Sequence, residues 1–167
     1  MAELQKSAQD GDPEACFAMA SKLEEGLATP LDLRRAVRFY CTAAEQGHLQ
    51  AQLAMARLCL LGKGLQQDAL EAAQWYMKAA EQGHLESQFN LAEMYALGRG
   101  VEQNDASAAY WYKRAAEGGM LDAQIRLARL FEQGKGVSLD SEEAAHWMQK
   151  ANETIDLQTK KYKEDEG

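Results

Sequence analysis

The segment beginning at Ala44 reads AEQGHLQAQLAMARL, the one at Ala80 reads AEQGHLESQFNLAEM, and the one at Ala116 reads AEGGMLDAQIRLARL. The step is 36 residues and holds without a gap: Gly47, Gly83 and Gly119 share it, as do Gly62, Gly98 and Gly134, Gly64, Gly100 and Gly136, and Trp75, Trp111 and Trp147. One step back lands on Gly11, Gly26 and Phe39, with Ala28 in place of the second loop glycine. Residues 8–43, 44–79, 80–115 and 116–151 are therefore four copies of one unit, the first divergent. A fixed period of this size restricts the chain to repeat architectures, in which each copy is one supersecondary element that buries its apolar face against its neighbours.

Each unit reads as two helices. From Leu49 to Leu61 the apolar residues Ala51, Met55, Leu58 and Cys59 form a helical stripe, and Gly62 follows where a left-handed C-terminal residue is wanted. A second helix starts after Asp68, whose carboxylate can accept from the first free backbone N–H groups, with Glu71 completing a capping box. Asp32, Asn104 and Asp140 occupy the same slot in the other units. This helix runs through Ala72, Trp75, Tyr76 and Ala79 to Gly83. The aromatic slot is expected to be buried between helices, and the Ala79–Ala80 and Ala115–Ala116 pairs to allow close helix approach.

Composition agrees with an all-α fold: 46% hydrophobic and 26% charged residues suit a globular chain, and only two prolines interrupt helix. A net charge of −8 argues against nucleic acid or an anionic membrane as partner and favours a basic one. No apolar run reaches membrane-spanning length, and Glu3, Lys6, Asp10, Asp12 and Glu14 interrupt the stretch where a signal peptide would need apolar residues. The expected location is cytoplasmic, or periplasmic if a signal has been removed. Cys16, Cys41 and Cys59 share no spacing and read as reduced thiols.

The stretches GKGLQQDALEAAQWYMKAAEQG and GRGVEQNDASAAYWYKRAAEGG resemble the Sel-1-like repeats, relatives of the tetratricopeptide repeats, and the likeness covers about residues 8–151. The resemblance implies antiparallel helix pairs wound into a right-handed α-α superhelical solenoid that acts as a non-catalytic adaptor for another protein or peptide. A single domain over 1–167 is expected, with cap segments 1–7 and 152–167. Ala2 to Gln9 forms a short cap helix in this reading, and the last helix continues or restarts through Tyr162, Ile155 replacing the expected glycine. Lys160, Lys161 and Lys163 followed by Glu164, Asp165 and Glu166 suit a solvated end.

The first helix of each pair has a second face. Leu53, Arg57 and Leu60 lie opposite the stripe of Ala51, Met55 and Leu58. In tetratricopeptide-like arrays this face lines a concave groove, and the resemblance implies the same here. The candidate contacts are Phe17, Glu24, Leu53, Arg57, Leu60, Leu61, Phe89, Glu93, Leu97, Ile125, Arg129 and Glu132. Packing between repeats competes with ligand contact at the regular apolar slots Phe17, Leu53, Phe89 and Ile125, whereas Leu60, Leu61 and Leu97 are less regular and so better suited to a ligand. A monomer is expected.

Catalytic signals are weak. His48 and His84 recur in one turn slot, too far apart to share a metal, and His146 stands alone. No cofactor or metal is expected, and the G-x-G elements belong to interhelix turns. Two rivals come from the resemblance. Cysteine-rich bacterial relatives are associated with β-lactam binding or hydrolysis, but the expected partner of Cys16 falls on Ala44. A toxin-neutralising immunity role is the other.

Overall fold

The computed structural model describes residues 2–26 and 30–165. Ala28, Met1 and Glu166 lie outside the described residues. All the regular structure among them is helical: α1 (Ala2–Gln9), α2 (Pro13–Glu25), α3 (Pro30–Glu45), α4 (Leu49–Leu61), α5 (Ala69–Glu81), α6 (Leu85–Leu97), α7 (Asp105–Glu117), α8 (Leu121–Gln133) and α9 (Ser141–Asp165). The even-numbered helices are the first of each pair, hereafter A helices; α3, α5, α7 and α9 are the B helices. No described helix is long and apolar enough to cross a membrane.

Two compact units divide the chain, Met1–Gly83 and His84–Gly167. In the first, α1 packs on α2, α2 on α3, α3 on α4 and α4 on α5; in the second, α6 packs on α7, α7 on α8 and α8 on α9. Each core is built mainly from alanine with a few large side chains: Met55, Leu58 and Cys59 in the first unit, Leu91, Leu127 and the Trp111 and Trp147 rings in the second. The paired alanines 43–44, 79–80 and 115–116 are all buried, as small residues must be where helix axes come close. Trp75, Trp111 and Trp147 are 6%, 8% and 4% exposed, so the recurring aromatic slot is interior.

The glycine pair after α4, α6 and α8 does two jobs. Gly62, Gly98 and Gly134 adopt left-handed backbone with φ of 65°, 65° and 62°, and their N–H groups return to Leu58, Met94 and Leu130 carbonyls. The second glycine is needed for space as well. A methyl on Gly64 would stand 2.8 Å from the Leu33 carbonyl oxygen of α3, and one on Gly136 would collide with the Asp105 carbonyl and the Ala106 nitrogen of α7. These two loops therefore lie against the start of the B helix one repeat earlier.

Helix starts depart from the sequence reading in two places. Asp68, Asn104 and Asp140 cap as expected, accepting from Glu71 N at 3.0 Å, Ser107 N at 2.9 Å and Glu143 N at 3.0 Å. Asp32 stands differently: α3 begins at Pro30, whose fixed φ and missing N–H suit a first turn, so Asp32 lies inside the helix and pairs with Arg35 at 3.7 Å. Nor is the Asp68–Glu71 box reciprocal. The Asp68 N–H donates to the Cys59 carbonyl at 2.9 Å, and the Glu71 carboxylate instead accepts from the Trp75 indole at 3.3 Å. At the ends, α1 is the expected short helix, and α9 continues as one 25-residue helix past Ala151, exposing Ile155, Leu157 and Tyr162.

Two substitutions test this architecture by urea denaturation. Trp111→Ala should cost about 3–5 kcal/mol as a cavity mutation, and a midpoint near wild type would refute its burial. Gly136→Ala should cost about 3 kcal/mol, combining left-handed strain with the clash on Asp105, whereas Gly119→Ala, with φ of 87° and nothing within 4 Å, should lose only about 1–2 kcal/mol.

Candidate functional site

The A-helix face is organised around the tyrosine that follows the aromatic slot. In the first unit Phe17 lies 5.8 Å from the Tyr40 ring and stacks on His48 at 4.6 Å. The Tyr40 hydroxyl donates to the Glu24 carboxylate at 3.0 Å, and Arg57 of α4 reaches the same carboxylate at 2.6 Å. One carboxylate thus ties α2, α3 and α4. The second unit repeats the chemistry: Phe89 meets the Tyr112 ring edge-on at 5.6 Å, the Tyr112 hydroxyl donates to Glu93, and Arg126 pairs with Glu93 at 3.2 Å. Burial raises the Tyr40 and Tyr112 hydroxyls above the usual phenol range, and the nearby carboxylates add to this, so both remain donors.

The carboxylate in the second unit is not the one that repetition predicts. Tyr112 is 72 residues after Tyr40, two periods, but Glu93 is only 69 after Glu24, and Arg126 only 69 after Arg57. The pair has moved back by about one helical turn. Arg129, the true equivalent of Arg57, instead lines a cleft of about 260 Å³ with Ala96, Leu97 and Leu130, together with Glu93, Tyr112 and Arg126.

Among the sequence-derived candidates, Glu24 and Arg57 are therefore joined to each other, and Glu93, Leu97 and Arg129 share one cleft. Phe17 and Phe89 pack on tyrosines, while Leu53, Leu60 and Ile125 are half-buried. Leu61 and Leu97 stand open at 55% and 60% exposure, and Glu132 is exposed outside the cleft lining. Sequence reasoning missed Tyr40, Tyr112 and Arg126. Tyr40, Tyr76 and Tyr112 recur at the period, a signal that could have been read; Arg126 leaves the register, so the period conceals it.

The recurring histidines are helix caps. His48 Nδ1 accepts from Ala51 N at 3.2 Å, and His84 Nδ1 accepts from Ser87 N at 3.2 Å. With Nδ1 an acceptor the proton sits on Nε2, which in His48 faces Glu14 at 3.0 Å. Asp12 fills this slot in the first repeat and Met120, which makes no side-chain cap, in the last. No group of three or more His, Cys, Asp or Glu suited to a metal occurs among the described residues.

The cysteines are free thiols. Cys16 donates to the Ala8 carbonyl at 3.3 Å. Burial, reinforced by Glu45, pushes Cys41 up to about 11, and burial with Glu71 pushes Cys59 up to about 12. Thiolates are therefore scarce near neutrality.

With this geometry in view, four consecutive copies of the Sel1 repeat model match residues 13–48, 49–84, 85–120 and 121–153. The chain belongs to the Sel1 repeat family. The family model opens each unit at the A helix, five residues later than the frame beginning at Ala8. An Escherichia coli protein described as a protective antigen present in uropathogenic strains, displaying an SLR fold, is 33% identical, with a TM-score of 0.76 over 91% of this chain and 32% of its own. A Sel1 repeat protein from Oxalobacter formigenes is 31% identical, with a TM-score of 0.77 over 90% of this chain and 62% of its own. This chain thus spans about a third of the first and less than two thirds of the second. Cysteine rich protein B of Helicobacter pylori, 24% identical with a TM-score of 0.56 over 77% of this chain and 92% of its own, shares the fold. No curated protein matches. The fold class is the all-α repeat solenoid, commonly a scaffold for protein interaction.

Thiol chemistry gives a direct check. Native protein at pH 8 should react slowly with a disulfide reagent at all three cysteines and release three equivalents promptly in guanidinium. Rapid native reaction of Cys41 or Cys59 would contradict their raised pKa values. Because the folded values lie above the usual 9, the unfolded chain loses these protons first, so stability should fall as pH rises above about 9.

Proposed function

We propose that this Sel1 repeat chain is a non-catalytic scaffold that binds a protein or peptide segment on its A-helix face. One observation carries the reading. Among the described large apolar residues that stand exposed, Leu61 and Leu97 are the one pair 36 residues apart, in the last turns of α4 and α6. Isolated exposed leucines need no explanation, but two in the same slot of successive repeats mark a surface the architecture presents repeatedly. Within each unit half-buried A-helix residues add apolar surface, Phe17, Leu53 and Leu60 in the first and Phe89 and Ile125 in the second.

The charge balance suits a partner with basic residues. A chain of net charge −8 attracts cations over several ångströms, and Glu14, Glu25, Glu86, Asp122 and Glu132 are exposed on A helices. Glu24 and Glu93 are committed to the tyrosine–arginine ties, so they hold the face in shape and leave steering to the others. Arg57 is likewise engaged by Glu24, and its role in this reading is to fix the α2–α4 spacing.

The test is a double variant. Leu61→Glu with Leu97→Glu should weaken a partner captured from the native host by at least ten-fold, with circular dichroism and melting temperature unchanged, since both side chains are exposed. Capture at wild-type strength would remove this surface from the interaction.

A further inference from the structure

The two units solve the same electrostatic problem differently, and the difference leaves Arg129 without a partner among the described residues. In the first unit Glu24, Tyr40 and Arg57 meet on one carboxylate, with Arg57 at 2.6 Å and Tyr40 at 3.0 Å. Two periods on, these positions are Ala96, Tyr112 and Arg129. The carboxylate has been replaced by a methyl group. Tyr112 and Arg126 turn to Glu93 instead, one turn earlier on α6. Arg129 forms no hydrogen bond or ion pair with any described residue, and it lines the cleft beside Ala96, Leu97 and Leu130.

We propose that this cleft between α6 and α8 receives a glutamate side chain from the partner segment. Glu93 is already occupied by two donors, and Lys135, also on the rim, is held by Asp105 at 3.4 Å, so Arg129 is the cation left to a ligand. A guanidinium with room before it favours a planar carboxylate, which it can grip with two parallel hydrogen bonds. The neighbouring Glu93 disfavours a doubly charged phosphate by repulsion. Leu97 and Leu130 flank the space, matching the methylenes of glutamate and an adjacent apolar residue. The first unit shows the stereochemistry, since there the chain supplies its own glutamate. The inference deepens the scaffold reading and rests on it: a largely basic segment would carry one acidic anchor.

Nuclear magnetic resonance titration of the full ¹⁵N-labelled chain tests this with three synthetic probes: acetyl-Leu-Glu-Leu-amide, acetyl-Leu-Gln-Leu-amide, and acetyl-Leu-Leu bearing a free C-terminal carboxylate. The glutamate peptide is expected to shift amides of residues 93–97 and 126–133 and to bind at least five-fold tighter than the other two. Arg129→Gln should erase that preference. Ala96→Glu, which restores the arrangement seen at Glu24, should erase it too while raising the melting temperature. Equal binding of the glutamate and glutamine peptides, a preference that survives in Arg129→Gln, or tighter binding of the free C-terminus would each overturn the proposal. Shifts of these amides by every probe without preference would sink the glutamate site and leave the scaffold reading standing. No A-helix shift with any probe, joined to undiminished partner capture by the leucine double variant, would defeat both.

Discussion

Backbone meets backbone where the loop after one A helix crosses the start of the preceding B helix. At Gly64 and Gly136 the gap is too small for a Cβ, so the distance between successive hairpins is set by main-chain contact. Softer features are arranged within that spacing. The buried alanine pairs fit a close helix approach, the tryptophans fill what alanine leaves, and Asp68, Asn104 and Asp140 cap the starts of α5, α7 and α9. A stack of this kind draws its stability from neighbour contacts, which is why a hairpin rich in alanine can still belong to an ordered core.

The fold was legible because repetition multiplies weak signals. One glycine or one aspartate says little, but recurrence in register marks helix ends, loop lengths and the interior aromatic slot together. What escaped was chemistry outside the register. Asp32 looked like its counterparts, yet Pro30 starts the helix early and Asp32 lies inside it. Glu71 fitted a capping box, yet the Trp75 indole is a nearby donor that must be satisfied as it is buried, and it takes the carboxylate. His48 and His84 were recognisable as a pair, but an imidazole acting as an N-cap is uncommon enough that their positions alone did not reveal it.

The A-helix face was legible in outline. Its residues were found by helical angle, and their partial burial follows, but angle cannot tell a side chain that faces a ligand from one that faces Tyr40 or Tyr112. Sequence periodicity also assumes that equivalent positions do equivalent work. The carboxylate tie breaks that assumption: it persists in both units, displaced by one turn, because helices offer neighbouring positions every three or four residues from which the same groups can meet. Drift of this sort preserves the tie between helices while leaving different groups on the surface.

The long final helix has a different character from the rest. Its first half lies on α8, where Ala144, Trp147 and Ala151 are buried, but beyond Thr154 every described side chain is exposed. Some ten described residues of helix thus bury no side chain, and they stay wound because the anchored half has already met the cost of nucleation. The amide hydrogens of this stretch should exchange long before those of the repeats. Its order is borrowed from the core and fades with distance from it.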